Sequence, residues 1–283
     1  MSHGLSEGDG GDTTAHRVSG MAGTDRGEGS AERAALRRAL EELDARLAAG
    51  AERGPGACVR FDSLVEKLRT PAAAFLKPEL EERLARHVAA DDSFARDRMA
   101  HVLAGACGQE ALPALLRAMV TDRNEDGDML HVDVLDLFEA WPDTAFALSM
   151  EYTVSDDPGL RRVGLWGVCF FDSLGTEYFG LVADAACDPD PGVRADVMTT
   201  LGSSVGLGDP SRALDILIAG ASDAAPEVRR AVVSALYGAR EAAALSGRPA
   251  PDARAALERL ATDEEATVRD AARRALAPAT GWF

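Results

Sequence analysis

Apolar and small residues recur at helical spacing along most of the 283-residue chain, and three segments repeat the pattern closely. They are DPDPGVRADVMTTLG (188–202), DAAPEVRRAVVSALYG (223–238) and DEEATVRDAARRALA (263–277). Each begins with an acidic turn and an aliphatic–Arg pair, and then places small or aliphatic residues three, six and seven positions after the Arg. These offsets fall on one face of a helix. Each segment therefore predicts an amphipathic helix, which we call a B helix.

The same register recurs three more times upstream, which makes six anchor positions at intervals of 30 to 40 residues. A second amphipathic segment, the A helix, precedes each acidic turn. One helical hairpin cannot bury its own apolar face and must stack on neighbours. The pattern therefore predicts an all-α fold, an α-α superhelix of about six hairpins. The anchors are Arg96, His131, Arg161, Arg194, Arg229 and Arg269.

The repeated segments resemble the HEAT and HEAT-like repeat family, whose common pattern is DPxxxVRxxAxxAL. The resemblance covers roughly residues 79–278 and implies a right-handed solenoid whose B helices line the concave face. His131 departs from the pattern, because Arg is expected there, and it follows a longer and more acidic turn. Gly164 and Gly167 also depart from it, since they occupy core positions and imply a close backbone approach or a bend.

The N-terminal region differs from the repeats. Residues 1–29 are rich in Gly, Asp, Ser and Thr, so we expect them to be disordered; Met21 is a second candidate start of translation. An amphipathic helix is predicted over 31–49, then a Gly/Pro linker over 51–57 and a short helix around 61–68. We expect residues 30–78 to cap the solenoid, which then covers residues 79–283.

The acidic turns and the anchor arginines have a structural interpretation. A carboxylate at the start of a B helix can accept free backbone N–H groups and meet the positive end of the helix dipole. Each anchor Arg is expected to bond to a turn of the next repeat, which would form a ladder along the stack. The turn acids are Asp92, Asp157, Asp190, Asp223 and Asp263.

Composition narrows the choice of partner and compartment. The net charge of −17 repels nucleic-acid phosphates and anionic lipid and attracts basic proteins. Arginine far outnumbers lysine, as in GC-rich bacterial genomes. Cys58, Cys107, Cys169 and Cys187 show no CxxC pattern and are predicted to be buried free thiols. Without a secretory segment or an apolar run that spans a membrane, we expect a cytoplasmic protein.

The solvent side of each B helix lies at offsets one, five and eight from its anchor, and there we place a partner-binding surface. Aromatic and Arg residues among charges are typical of protein-binding hot spots. A buried position in the core is the competing interpretation for Trp166, because the flanking glycines leave its register open. The candidate binding residues are Arg162, Trp166, Tyr237, Asp136, Glu139 and His101.

The turn over 122–133, DRNEDGDMLHVD, has the order of oxygen-bearing residues found in a calcium loop. A solvated acidic turn is the alternative, since position twelve carries the shorter Asp instead of Glu and the sequence contains no second such loop. The candidate ligands are Asp122, Asn124, Asp126, Asp128 and Asp133. The five histidines form no HExxH, no His–Glu pair and no Cys/His cluster, which argues against the HEAT-repeat hydroxylases that bind iron. We expect no cofactor.

The sequence therefore predicts a non-catalytic scaffold, adaptor or inhibitor that engages a basic protein. A HEAT-like DNA glycosylase is one alternative, with Asp136 and Trp166 in the catalytic and base-contacting roles, although the acidic charge opposes DNA binding. A calcium-responsive scaffold is a second alternative. A phycobilin lyase of the same repeat class is a third, but no feature of the chain indicates a bilin pocket.

Overall fold

The computed structural model describes residues 24–49, 55–121, 129–172, 176–203, 209–245 and 251–277. Within these ranges every regular element is helical and no strand occurs, which confirms the all-α prediction. The chain divides into two compact units, residues 1–68 and 69–283. The predicted boundary at 78/79 falls inside a helix. The segment after Leu68 packs against the first hairpin of the second unit.

The first unit contains two helices, α1 (Thr24–Ala48) and α2 (Pro55–Leu68). The predicted leucine stripe of α1 is buried. Helix α1 begins inside the stretch predicted to be disordered over 1–29, and residues 1–23 lie outside the described range. Helix α2 begins inside the predicted linker, because Pro55 stands at its first position, where proline is favoured in a helix. The buried leucines of α1 are Leu36, Leu40, Leu43 and Leu47.

The second unit consists of six helical hairpins, as the repeat pattern predicts. A short 3-10 segment, Pro71–Leu76, precedes them, and two more, Gly108–Ala111 and Ala185–Cys187, lie between helices. The six A helices are α3 (Lys77–Ala89), α5 (Leu112–Met119), α7 (Pro142–Thr153), α9 (Thr176–Asp184), α11 (Pro210–Gly220) and α13 (Pro251–Leu260). The six B helices are α4 (Ser93–Cys107), α6 (Met129–Ala140), α8 (Pro158–Asp172), α10 (Pro191–Ser203), α12 (Pro226–Leu245) and α14 (Ala266–Leu276).

Burial along the B helices follows the register read from the sequence. The residues three, six and seven positions after each anchor are buried, except Thr200 and Leu276, which are half-buried. Residues at offsets one and five are exposed or half-buried in all six helices. The apolar stripe of each helix therefore points into the stack, and the opposite side, which we call the B-helix face, meets solvent.

Three anchor arginines form the predicted ladder, and each rung links consecutive hairpins. Arg161 donates from Nε to Asp188 Oδ2 at 2.8 Å and from Nη2 to Asp188 Oδ1 at 2.7 Å. Arg194 pairs in the same way with Asp223, and Arg229 with Asp263, at 2.8–2.9 Å. Nη1 of each Arg also donates to two backbone carbonyls of its own turn. Each rung thus ties one B helix to the turn of the next hairpin.

The turn acids divide into two groups, which the sequence analysis treated as one. The rung acids stand six residues before an anchor and accept both the guanidinium and the N–H two residues on. Asp190 caps α10, as the sequence predicts, by accepting the N–H of Val193 at 3.0 Å. Asp92 caps α4 in the same manner through the N–H of Ala95. In the fourth hairpin, which contains Asp190, the rung acid is Asp188.

Helices α7 and α8 approach closely at the two glycines of α8. A Cβ placed on Gly164 would lie 2.6 Å from the backbone N of Thr153 and 2.7 Å from the backbone O of Ser149. A Cβ on Gly167 would lie 2.2 Å from Ser149 Oγ. The close backbone approach expected from these glycines is present.

Among the described helices none has the length and apolar content needed to cross a membrane.

The cysteine prediction is wrong in part, because Cys187 is exposed at the end of a 3-10 segment, and Cys107 and Cys169 are half-buried. The side chain of Cys58 lies outside the described residues.

Candidate binding site between the second and third hairpins

The ladder is interrupted between the second and third hairpins, and we call this boundary the seam. The anchor of the second hairpin is His131, whose imidazole cannot form the two-pronged contact of a guanidinium with a carboxylate. The position that carries the rung Asp in later turns is Ser155. Its Oγ accepts the N–H of Asp157 at 3.2 Å, as the rung acids accept theirs. The seam therefore lacks both halves of an Arg–Asp rung.

Aromatic rings fill part of the seam between α6 and α8. Phe138 of α6 lies 5.6 Å from Trp166 and 5.1 Å from Phe171, measured between ring centroids. His131 meets Trp166 edge-on at 5.4 Å, and Phe170 meets Phe138 edge-on at 5.5 Å. The two B helices are thus joined through bulky rings, where the later B helices are joined through small aliphatic side chains and a rung.

A cavity of about 820 Å³ opens beside these rings. Its wall comes from the end of α5, from α6 and α8, and from α9 and α10. Its buried lining is apolar, while the residues that reach solvent are polar. The buried lining residues are Met119, Val163, Leu165, Val182 and Val197, and the exposed ones are Thr121, Arg162 and Thr199.

Arg162 and Asp196 form an ion pair at the opening of the cavity. Arg162 donates from Nε to Asp196 Oδ2 at 2.6 Å, and this bond raises the pKa of Arg162 above its ordinary value. The two side chains remain 45% and 46% exposed, so the pair is accessible to solvent and contributes little to stability. Trp166, half-buried, forms the wall next to them. The predicted site residues Arg162 and Trp166 therefore meet in one cavity.

This cavity borders a recognisable repeat segment. Residues 180–277 match the family model described as HEAT repeats. These residues are thus similar to HEAT repeats. The matched segment begins within α9 and includes the rungs Arg194–Asp223 and Arg229–Asp263. It supplies the α9 and α10 part of the cavity wall, and the hairpins upstream of it supply the remainder.

Comparison with solved structures gives distant likenesses. A designed armadillo repeat protein is 12% identical with a TM-score of 0.36, and the match covers 83% of this chain and 97% of that chain. An engineered protein is 15% identical with a TM-score of 0.34, covering 90% of this chain and 91% of that chain. No curated protein matches this chain.

Two more predicted site residues lie on α6, next to the cavity. Asp136 and Glu139 are exposed on the B-helix face, and neither forms an ion pair with another described residue. Val132 and Met129 occupy the same face of α6 and are 49% and 40% exposed. On α8 the exposed Phe170 continues the side that carries Trp166. The seam thus presents apolar side chains with two uncompensated carboxylates beside them.

The remaining predicted binding residues lie elsewhere. The ring of His101 on α4 bonds through Nδ1 to Asp133 Oδ1 of α6 at 2.6 Å, which ties the first hairpin to the second. Tyr237 is 41% exposed on α12 and does not line the cavity. His101 therefore has a structural bond of its own, and Tyr237 belongs to a different part of the B-helix face.

The proposed calcium loop lies almost wholly outside the described residues, since 122–128 are not among them. Asp133, assigned to its twelfth position, is 3% exposed within α6 and is bonded to His101. Its Oδ2 atom is buried and accepts no hydrogen bond from the described residues. Within those residues there is no group of three or more His, Cys, Asp or Glu side chains arranged to hold a metal ion.

Part of the cavity wall was not predicted from the sequence. Met119, Thr121 and Thr200 line the cavity, and none of them was among the predicted binding residues. A signal was nevertheless present, because His131 and Ser155 depart together from the Arg and Asp expected at those two positions. The paired departure marks the place where the regular contact between hairpins is absent.

Proposed function

We propose that this protein is a non-catalytic binding scaffold, an adaptor or an inhibitor, that engages a basic protein through its B-helix face. The observation that carries the proposal is the cavity at the seam, where Trp166 and Arg162 meet, while α6 carries two exposed carboxylates that no described residue pairs. Buried pockets next to aromatic and Arg side chains are where binding energy concentrates in protein interfaces. The HEAT repeats beside the cavity belong to a repeat fold generally used for protein interaction.

The charge of the chain supports a basic partner. A net charge of −17 attracts cationic surfaces and accelerates encounter with them. The cations of the second unit that lie in the ladder are already neutralised by Asp188, Asp223 and Asp263. Asp136 and Glu139 on α6 have no such compensation from the described residues, and they therefore contribute to an attractive field at the seam.

The charged residues of the B-helix face also support a non-catalytic role. The imidazole of His101 is held by Asp133, and Arg162 is held by Asp196. Asp136, the candidate general base of the glycosylase alternative, is exposed on α6 and does not line the cavity with Trp166. We further propose that the first unit caps the start of the stack.

Affinity capture from the native host tests the proposal. The bait is the full chain, compared with a Trp166→Ala/Arg162→Ala variant and with an Arg254→Ala/Glu258→Ala control, in which an exposed pair within α13 is removed. Circular dichroism verifies that all three are folded. We expect a basic protein to be retained by the wild type and the control and lost from the cavity variant. Equal retention by all three would place the binding surface elsewhere, and retention of acidic proteins alone would contradict the proposal.

A further inference from the structure

We propose that the seam receives a lysine- or arginine-rich amphipathic helix of the partner, with its apolar side against the cavity and its basic side towards Asp136 and Glu139. This inference rests on the proposed function and specifies the form of the partner.

The cavity has a size and a lining that suit large apolar side chains. Its volume of about 820 Å³ lies within the ~300–1,000 Å³ range of cavities that bury organic ligands. The buried part of the wall is aliphatic and includes Leu165, Val182 and Val197, which belong to the core of the later hairpins. Trp166 adds an aromatic wall. Such a cavity favours large apolar side chains and has room for more than one of them.

Both α6 and α8 carry apolar side chains at helical spacing. Met129 and Val132 lie three residues apart on one face of α6, and Trp166 and Phe170 lie four residues apart on one face of α8. The two helices are joined by ring contacts between Phe138 and Trp166. A third helix laid along them would meet apolar side chains at helical spacing from both sides, as in other recognition modes in which a helix docks in a groove.

The charges on α6 favour a basic ligand helix. Asp136 follows Val132 by four residues and Glu139 follows Asp136 by three, so all three lie on one face of α6. Neither carboxylate is paired within the described part of the chain. The only Arg or Lys that lines the cavity, among the described residues, is Arg162, which Asp196 already neutralises. An amphipathic helix with basic flanks complements this surface, whereas one with acidic flanks would meet like charge.

The seam lacks the rung that is present at the later junctions. At the later junctions an Arg and its Asp occupy the space between one B helix and the next turn, as in Arg194–Asp223. At the seam His131 and Ser155 leave that space without a rung. The ligand helix thus occupies a position where the stack itself forms no rung.

The experiment uses the full chain with Trp141→Phe and Trp282→Phe, so that Trp166 is the only tryptophan. The probe is a fluorescein-labelled peptide of about 18 residues, made of Leu and Lys with leucines at alternating three- and four-residue spacing. A peptide of the same composition in scrambled order and an amphipathic Leu/Glu peptide are the matched probes. Anisotropy measures binding, and the emission of Trp166, excited with unlabelled peptide, reports whether the cavity is occupied.

Two matched pairs of variants locate the site. Thr199→Phe fills the opening of the cavity, and Ser234→Phe places the same side chain at the equivalent exposed position of α12. Asp136→Asn/Glu139→Gln removes two charges at the seam, and Asp252→Asn/Asp270→Asn removes two exposed charges elsewhere.

We expect the Leu/Lys peptide to bind at least tenfold more tightly than the scrambled peptide and to shift the Trp166 emission to shorter wavelength. Thr199→Phe and the seam charge variant should each weaken binding several-fold, while their matched controls should not. Equal binding of the scrambled peptide would overturn the helix-docking inference and leave the basic-partner proposal standing. Stronger binding of the Leu/Glu peptide would contradict both. If no peptide binds, the inference is wrong and host capture alone decides the proposed function.

Discussion

Arg229 on α12 donates two hydrogen bonds of 2.8 Å each to Asp263 in the turn of the next hairpin, and the two side chains are only 10% and 9% exposed. The same Asp263 Oδ1 also accepts the N–H of Glu265 at 2.9 Å. Each carboxylate oxygen of this rung is therefore satisfied, and the rung joins the last two hairpins of the second unit.

Asp263→Ala should destabilise the last hairpin strongly, because it leaves the Arg229 guanidinium without its partner in a mostly buried position. Breaking a buried ion pair costs about 3–5 kcal/mol. Glu258→Ala, which removes an exposed pair with Arg254, should cost about 0.5 kcal/mol or less. Urea unfolding followed by circular dichroism compares the two variants. Similar midpoints would show that the rung contributes no more than a surface pair.

The rungs also predict a loss of stability in acid. Hydrogen bonds from Arg161, Arg194 and Arg229 lower the pKa of Asp188, Asp223 and Asp263, respectively. The unfolded chain therefore binds protons at a higher pH than the folded one does. The stability contributed by these carboxylates is complete above their ordinary pKa, about 3.9, and is lost as the pH falls through that value towards the folded-state pKa.

Asp223→Asn isolates this effect, since Asn keeps an acceptor oxygen and does not titrate. Between about pH 5 and pH 3, the urea midpoint of the wild type should fall more steeply than that of the variant. Asp252→Asn, an exposed position, should leave the wild-type slope unchanged. Identical slopes for all three proteins would contradict the assignment of acid sensitivity to the rungs.

The repeat periodicity accounts for how much of the fold could be predicted. Each B helix has the same core offsets, so one register read at Arg194 locates the buried residues around His131 as well. The ladder was also predictable, because the rung acid always stands six residues before an anchor Arg. Asp190 was correctly predicted to cap its helix, but Asp188, which forms the rung in the same turn, was not among the predicted turn acids.

The parts that were not predicted depend on context beyond a single helix. Helix α1 extends back to Thr24 through glycine-containing sequence whose local propensity is low, and α2 begins at a proline that was assigned to a linker. The cavity depends on the distance between α6 and α8, which the rings of Phe138 and Trp166 set. Local periodicity does not encode that distance, and only the paired departures at His131 and Ser155 indicated it.

The His101–Asp133 bond should be essential to the junction between the first two hairpins. Asp133 is 3% exposed, and His101 supplies its hydrogen bond at 2.6 Å, so His101→Ala leaves a buried carboxylate without this partner. We expect a loss of about 2–4 kcal/mol. The double variant His101→Ala/Asp133→Leu should recover much of it, because an apolar side chain replaces the buried charge. Urea midpoints test both, and a harmless His101→Ala would show that the bond is dispensable.

Gly164→Ala and Gly180→Ala should change the free energy of unfolding in opposite directions. A Cβ on Gly164 would lie within 2.7 Å of backbone atoms of α7, whereas a Cβ on Gly180 of α9 would meet nothing within 4 Å. The first substitution forces α7 and α8 apart, and overpacking costs about 1–3 kcal/mol. The second replaces a helical Gly and should stabilise by about 0.5–1 kcal/mol. Thermal unfolding midpoints measure both, and equal shifts would contradict the close approach of the two helices.

Restoring the missing rung provides a test that links stability to the proposed site. His131→Arg/Ser155→Asp reproduces the pair found as Arg161–Asp188, and the new Asp can accept the N–H of Asp157 as Ser155 Oγ does now. The added bonds join the second and third hairpins, so the urea midpoint should rise by an amount that corresponds to about 1 kcal/mol. The new guanidinium would also enter the space beside Trp166, so binding of the Leu/Lys peptide should weaken several-fold. A rise in stability with unchanged peptide binding would show that the rung position and the binding cavity are separate. His131→Ala/Ser155→Ala is the matched control, because it alters the same two positions without adding a rung.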